Sequence, residues 1–62
     1  MLKIKELREK IGMSQIELAA KSGVSTNTIS LMENGKSDNP NKSTLKAIAS
    51  ALGVSIDQIK GE

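Results

Sequence analysis

Thr26, Asn27, Ser30, Leu31 and Asn34 lie within the nine-residue stretch TNTISLMEN, at spacings that gather four of them on one side of a helix. At about 100° per residue, the apolar pair Ile29 and Met32 falls on one stripe, and Asn27, Ser30, Leu31 and Asn34 fall on the other. An asparagine amide donates and accepts a hydrogen bond together, the pattern that adenine N7 and N6 present in the major groove of a duplex. Thr26, at the start of the helix, offers a methyl group to a thymine methyl and a hydroxyl to a phosphate. Leu31 stands well away from the Ile29/Met32 stripe, so on an outward face it meets thymine methyls rather than a core. None of these side chains is a nucleophile with a base beside it. Their chemistry is recognition.

A helix can present such a face only if a neighbour holds it, and the preceding residues supply one. QIELAAKSGVSTNTISLMEN, from Gln15 to Asn34, reads as two short helices joined by a tight turn. Ala19 lets the two helices cross closely, because it presents little more than a methyl group. Gly23 ends the first helix in a left-handed backbone that glycine adopts without strain. Val24 plugs the turn, and the Ser25 hydroxyl caps the second helix. The spacing describes a helix-turn-helix.

Capping signals divide the rest into further helices with no strand, for an all-α chain of five helices. The first, about Ile4 to Ile11, points Ile4, Leu7, Arg8 and Ile11 along one stripe and ends at Gly12. Ser14 and Glu17 form a capping box for the second, with Met13 and Leu18 as its hydrophobic staple. The third runs from about Thr26 to Asn34 and stops at Gly35. KSDNPNK, with the only proline, is the one real loop. A fourth helix from about Lys42 to Leu52 buries Leu45, Ile48, Ala49 and Leu52, and Gly53 ends it. Ser55 with Gln58, and Val54 with Ile59, repeat the box and the staple for a last short helix.

Composition narrows what such a chain can do. Its 62 residues make one small domain, spanning 1–62, and a chain that short buries only about 60% of its unfolded surface. A catalytic cleft is hard to build there. With no Phe, Tyr or Trp, the core must be Ile, Leu, Val, Ala and Met. The absence of cysteine and histidine removes disulfides, thiol nucleophiles, imidazole bases and nearly every zinc site. The seven carboxylates are dispersed among lysines, which argues against an enzyme. No cofactor, metal or small-molecule substrate is implied. MLKIKELREK alternates charges instead of forming an apolar export segment, and no stretch reaches the roughly 18 apolar residues of a membrane span. The expectation is a cytoplasmic protein.

The formal net charge of +2 is compatible with nucleic acid, and the distribution of lysines says more. Lys36, Lys42 and Lys46 gather around the loop after the recognition helix, while Lys3, Lys5 and Lys10 sit in the first helix. Flanking a helix-turn-helix, they read as phosphate partners. Asn34, Gly35 and Lys36 end the recognition helix where a phosphate backbone should pass. Asp38, in the same loop, argues against close crowding there.

LREKIGMSQIELAAKSGVS, TISLMENGK and TLKAIASALGVSIDQI together resemble the Xre/Cro/phage-repressor family of helix-turn-helix proteins, over almost the whole chain. Ser22 departs from that family, standing where an apolar residue is usual, and KSDNPNK looks about one residue longer. The resemblance implies a compact lambda-repressor-like fold. It also implies an ion pair between Arg8 and Glu33 that fixes the recognition helix, and a phosphate contact from Gln15, where the helix N-terminus also favours an anion. It places a partner contact near the C-terminal end. There Ile56 is left over once Val54 and Ile59 staple each other, with Leu52 four residues away. The function so implied is sequence-specific binding of double-stranded DNA by a transcriptional repressor. It would act as a homodimer on inverted half-sites, with Thr26, Asn27, Ser30 and Leu31 at the bases and Gln15, Asn34, Lys36 and Lys42 at phosphates. The alternative is a protein-interaction module on the same scaffold, antitoxin-like or an adaptor.

Overall fold

Most of the helices begin where a side-chain oxygen accepts a backbone N–H that the helix itself leaves free. The computed structural model describes residues 2–36 and 41–61, which form α1 (Ile4–Lys10), α2 (Gln15–Ser22), α3 (Thr26–Glu33), α4 (Lys42–Leu52) and α5 (Ile56–Lys60). Ser14 Oγ accepts from Glu17 N–H at 3.0 Å, and the Glu17 carboxylate accepts from Ser14 N–H at 3.1 Å, closing the expected capping box of α2. Ser55 and Gln58 repeat it on α5. Ser25 caps α3 through Thr28 N–H, and Asn41 caps α4 through Thr44 N–H at 2.8 Å. α1 begins at Lys3 without a side-chain cap.

Helix ends are closed as specifically as the starts. Gly23, at φ 76°, takes the left-handed conformation that lets its N–H reach back to Ala19 C=O at 2.9 Å, so α2 stops and the chain turns toward α3. The Ser22 hydroxyl accepts from Val24 N–H at 3.1 Å. The polar residue in a usually apolar place thus braces the turn by hydrogen bonding. α1, α3 and α4 close with a bond that reaches back five residues: Met13 N–H to Arg8 C=O, Lys36 N–H to Leu31 C=O and Val54 N–H to Ala49 C=O.

The core draws on every helix. Ile4 from α1, Leu18 from α2, Ile29 and Met32 from α3, Leu45, Ile48, Ala49 and Leu52 from α4, and Ile59 from α5 are buried together with Met13 from the first turn. Ala19 and Val24 pack against this cluster from the α2–α3 corner, and Val54 packs against it beside α5. α2 rests on both α3 and α4, α4 on α5, and α1 on α3. Full burial of one such aliphatic side chain contributes about 1.5–3 kcal/mol, so a core this small tolerates few losses. Lys3 N–H donates to Ile59 C=O at 2.7 Å, joining the strand of chain before α1 to α5.

One inward assignment needs correcting, and one residue expected at a partner surface is buried. Ile11 was expected on the buried stripe of the first helix, but α1 ends at Lys10 and Ile11 is 55% exposed. The left-handed Gly12 turns the chain there, and Met13 takes the place in the core. Leu52, proposed also for a partner surface, belongs to the core stripe of α4 and is buried. Its spacing from Ile48 and Leu45 commits it inward, leaving Ile56, half-buried against the core, as the surface residue of that pair. α3 stops one residue short of the expected end, with Asn34 as its C-cap. Asp38 and the middle of KSDNPNK lie outside the described residues. No helix among the described residues is long and apolar enough to cross a membrane.

Candidate nucleic-acid interface

α3 has two faces of different chemistry, and tertiary packing decides which is buried. Ile29 and Met32 sit in the core, while Thr26, Asn27, Leu31 and Asn34 are exposed and Ser30 is half-buried. Leu31 is 40% exposed, a large apolar side chain left among polar ones. Asn34 Nδ2 donates to Ser30 Oγ at 3.4 Å, a long bond one helical turn apart. The side-chain amide of Asn27 is exposed and has no hydrogen bond among the described residues. At the N-terminus of α3, Ser25 Oγ donates to Thr28 Oγ1 at 2.8 Å. Of the five residues singled out for base or phosphate contact here, four are thus exposed and Ser30 is half-buried.

The support behind that face is polar and buried. Arg8 Nε donates to Glu33 Oε2 at 2.8 Å, with the two side chains only 10% and 3% exposed. Arg8 Nη2 donates to Glu33 Oε1 at 3.3 Å, and Arg8 Nη1 donates to Met13 C=O at 2.8 Å. The ion pair implied by the family resemblance thus joins α1 to the last turn of α3. Burial alone pushes the Glu33 carboxyl up, but hydrogen bonds from Arg8 and Gln15 and the charges of Arg8 and Lys5 more than offset it, holding the carboxyl below its ordinary value. The same hydrogen bond to Glu33 raises the Arg8 guanidinium against its own desolvation. Both groups are held ionised. Among the described residues, no buried side-chain nitrogen or oxygen lacks a hydrogen-bond partner.

Gln15 stands where the sequence reading put it, at the first position of α2, and its side chain has a partner within the molecule. Its Nε2 donates to Glu33 Oε1 at 2.8 Å, so the amide expected at a phosphate is engaged inside the molecule. Sequence reasoning missed this contact because the partners are 18 residues apart and on different helices. It also missed the Asn41 cap, for which Asn41 with Thr44 three residues on was a readable signal. Lys36 and Lys42 are exposed on either side of the residues outside the description. Ile16, which the sequence reading passed over, is 75% exposed on α2. Among the described residues, no group of acidic side chains could hold a metal ion.

With this geometry in hand, comparison with known proteins gives a consistent result. A family model described as helix-turn-helix matches residues 4–59. An immunity repressor protein of Bacillus phage phi105 is 37% identical over 60 residues, covering 97% of this chain and 41% of that protein. An uncharacterized HTH-type transcriptional regulator of Bacillus subtilis (strain 168), RghRB, is 38% identical over 56 residues, covering 90% of this chain and 40% of that protein. The chain therefore spans about two fifths of the length of these relatives.

Proposed function

The chain belongs to the helix-turn-helix family, and from that membership we propose that it binds double-stranded DNA sequence-specifically as a transcriptional regulator, a repressor, with α3 in the major groove. The observation that carries this reading is the outward face of α3. Asn27, Ser30, Leu31 and Thr26 stand together there with no core to pack on, backed by a buried ion pair that fixes the helix. Asn27 pairs with an adenine edge, and Leu31 and Thr26 meet thymine methyls. Lys36, Lys42 and Asn34 approach phosphates, as does Gln15 at the N-terminus of α2, where free N–H groups favour an anion. Such contacts position the domain without reading sequence. The activity is binding and not catalysis, needs no cofactor, and places the protein in the cytoplasm, where the DNA is.

A single domain covers one half-site. Its longest dimension is 23 Å, shorter than the roughly 34 Å turn that separates the half-sites of a two-fold helix-turn-helix dimer. We infer a homodimer on inverted half-sites, with Ile56 at the partner surface. One recognition helix reads too few base pairs to find a site among about a million competitors or more. Selection of bound fragments from a random duplex pool, followed by titration at several salt concentrations, tests the proposal. The expected outcome is a selected sequence with an inverted repeat and an affinity that falls as salt rises. Failure to retain any duplex at low salt would overturn the reading and favour a protein-interaction module.

A further inference from the structure

Glu33 Oε1 has two donors at unequal distances, and the shorter bond is not from the arginine. Gln15 Nε2 lies at 2.8 Å and Arg8 Nη2 at 3.3 Å, while Arg8 Nε at 2.8 Å occupies the other oxygen. We propose that Gln15 is a positioning residue whose carboxamide ties the last turn of α3 to the first turn of α2, and so sets the angle at which the recognition face is presented. Arg8 alone anchors Glu33 to α1 and, through Met13 C=O, to the first turn. Gln15 adds the third helix, so three elements meet on one carboxylate.

The chemistry suits the task. A hydrogen bond to an ionised acceptor is about twice as strong as one between neutral groups, yet the neutral amide adds no charge that burial would penalise. Gln15 is half-exposed whereas Arg8 and Glu33 are buried, so its side chain closes the outer edge of the ion pair. The remaining groups facing Glu33 come from α1 and the residue before it. Lys5 is attractive to the carboxylate, and Lys3, Glu6 and Glu9 line the same open depression beside it. None of these has a hydrogen bond to Glu33 that could replace the one from Gln15. An amide so engaged reaches a phosphate only with its second N–H, and its larger contribution is made through α3.

The consequence for DNA rests on the reading of the protein as a DNA-binding regulator, whereas the tie itself does not. Gln15→Ala is compared in the wild-type chain and in a background where Arg8→Met and Glu33→Leu replace the ion pair by apolar side chains. The ligand is a duplex selected from a random pool by the wild-type protein. Losing a hydrogen bond to a charged group at a half-exposed position should weaken binding about fivefold to tenfold in the wild-type background. In the apolar background, where nothing remains for the amide to hold, the change should be under about twofold. An equal loss in both backgrounds would make Gln15 a direct phosphate contact and overturn the proposal, as would no loss in the wild type. A second measurement needs neither DNA nor the apolar background. Carbon NMR of the Glu33 carboxyl against pH should show its titration move up toward the ordinary range in Gln15→Ala. An unmoved titration would overturn the proposal. If the wild-type chain selects no duplex, the DNA reading falls and this titration alone decides the role of Gln15.

Discussion

Replacing Glu33 by Leu removes one half of a buried ion pair and leaves the other half stranded. The Arg8 side chain is 10% exposed, so among the described residues its guanidinium would keep the Met13 carbonyl as its hydrogen-bond partner. Breaking a buried pair in this way costs about 3–5 kcal/mol, chiefly because an uncompensated charge remains. For a chain of 62 residues, total stability at the usual 0.05–0.15 kcal/mol per residue is about 3–9 kcal/mol. The single variant should therefore sit near or beyond the edge of folding. Adding Arg8→Met removes the stranded charge and should restore most of the loss, since apolar replacement of a whole buried pair is neutral or stabilising by up to about 4 kcal/mol. Urea unfolding followed by circular dichroism measures both. Glu33→Leu within about 1 kcal/mol of wild type would show that the pair is energetically idle. A double variant as unstable as the single would trace the damage to packing instead of charge. Acid provides an independent check. The Glu33 carboxyl is held below its ordinary value in the folded protein, so its stabilisation is complete above the unfolded value of about 4.3 and is lost as pH falls through the folded value. Wild type should lose stability in that acidic window more steeply than the double variant.

Asn27→Ala should cost about 1–3 kcal/mol on the selected site and relax preference at one base pair, with non-specific binding barely changed; equal losses on selected and random duplexes would make it a backbone contact. Ala19→Leu should overpack the α2–α3 corner, where Ala19 already rests against the core, at about 1–3 kcal/mol. An unchanged unfolding midpoint with normal binding would contradict that packing. Ile56→Lys should abolish binding to a paired site while changing a lone half-site little, and sedimentation showing one chain per site would remove the dimer.

Local chemistry made most of the architecture readable. Ser14 with Glu17 and Ser55 with Gln58 are signals that span four residues, and both close the same capping box. Gly23 and Gly53 marked helix ends because each position needs a backbone that other residues adopt only under strain. The inward face of α3 followed from Ile29 and Met32 by periodicity alone. Ile11 was misjudged because periodicity gives a direction but not an end. Once α1 stops at Lys10, the next residue no longer follows the helical rotation. The Gln15 contact was illegible for a different reason. Glu33 flanks the inward stripe, which together with the family pairing pointed to a partly buried bridge to Arg8, but no local pattern indicated that the carboxylate would take a further donor from another helix. Arg8 and Glu33 were identified as partners through family resemblance, and the amide that completes their site is found only in three dimensions.

The hydrogen bond from Lys3 N–H to Ile59 C=O makes the two ends of the chain a single corner. Closing a loop of that length from a flexible chain costs about 3–4 kcal/mol of entropy, so this contact rewards folding only after the helices between are assembled. End-to-end distance is thus a reporter of the complete fold. Dyes on Leu2 and Gly61 would lie close together on a body whose radius of gyration is 10.0 Å, whereas an unfolded chain of this length expands to about 24 Å. A spectroscopic ruler between Leu2 and Gly61 would therefore report the assembled domain, although it touches none of the residues proposed to face DNA.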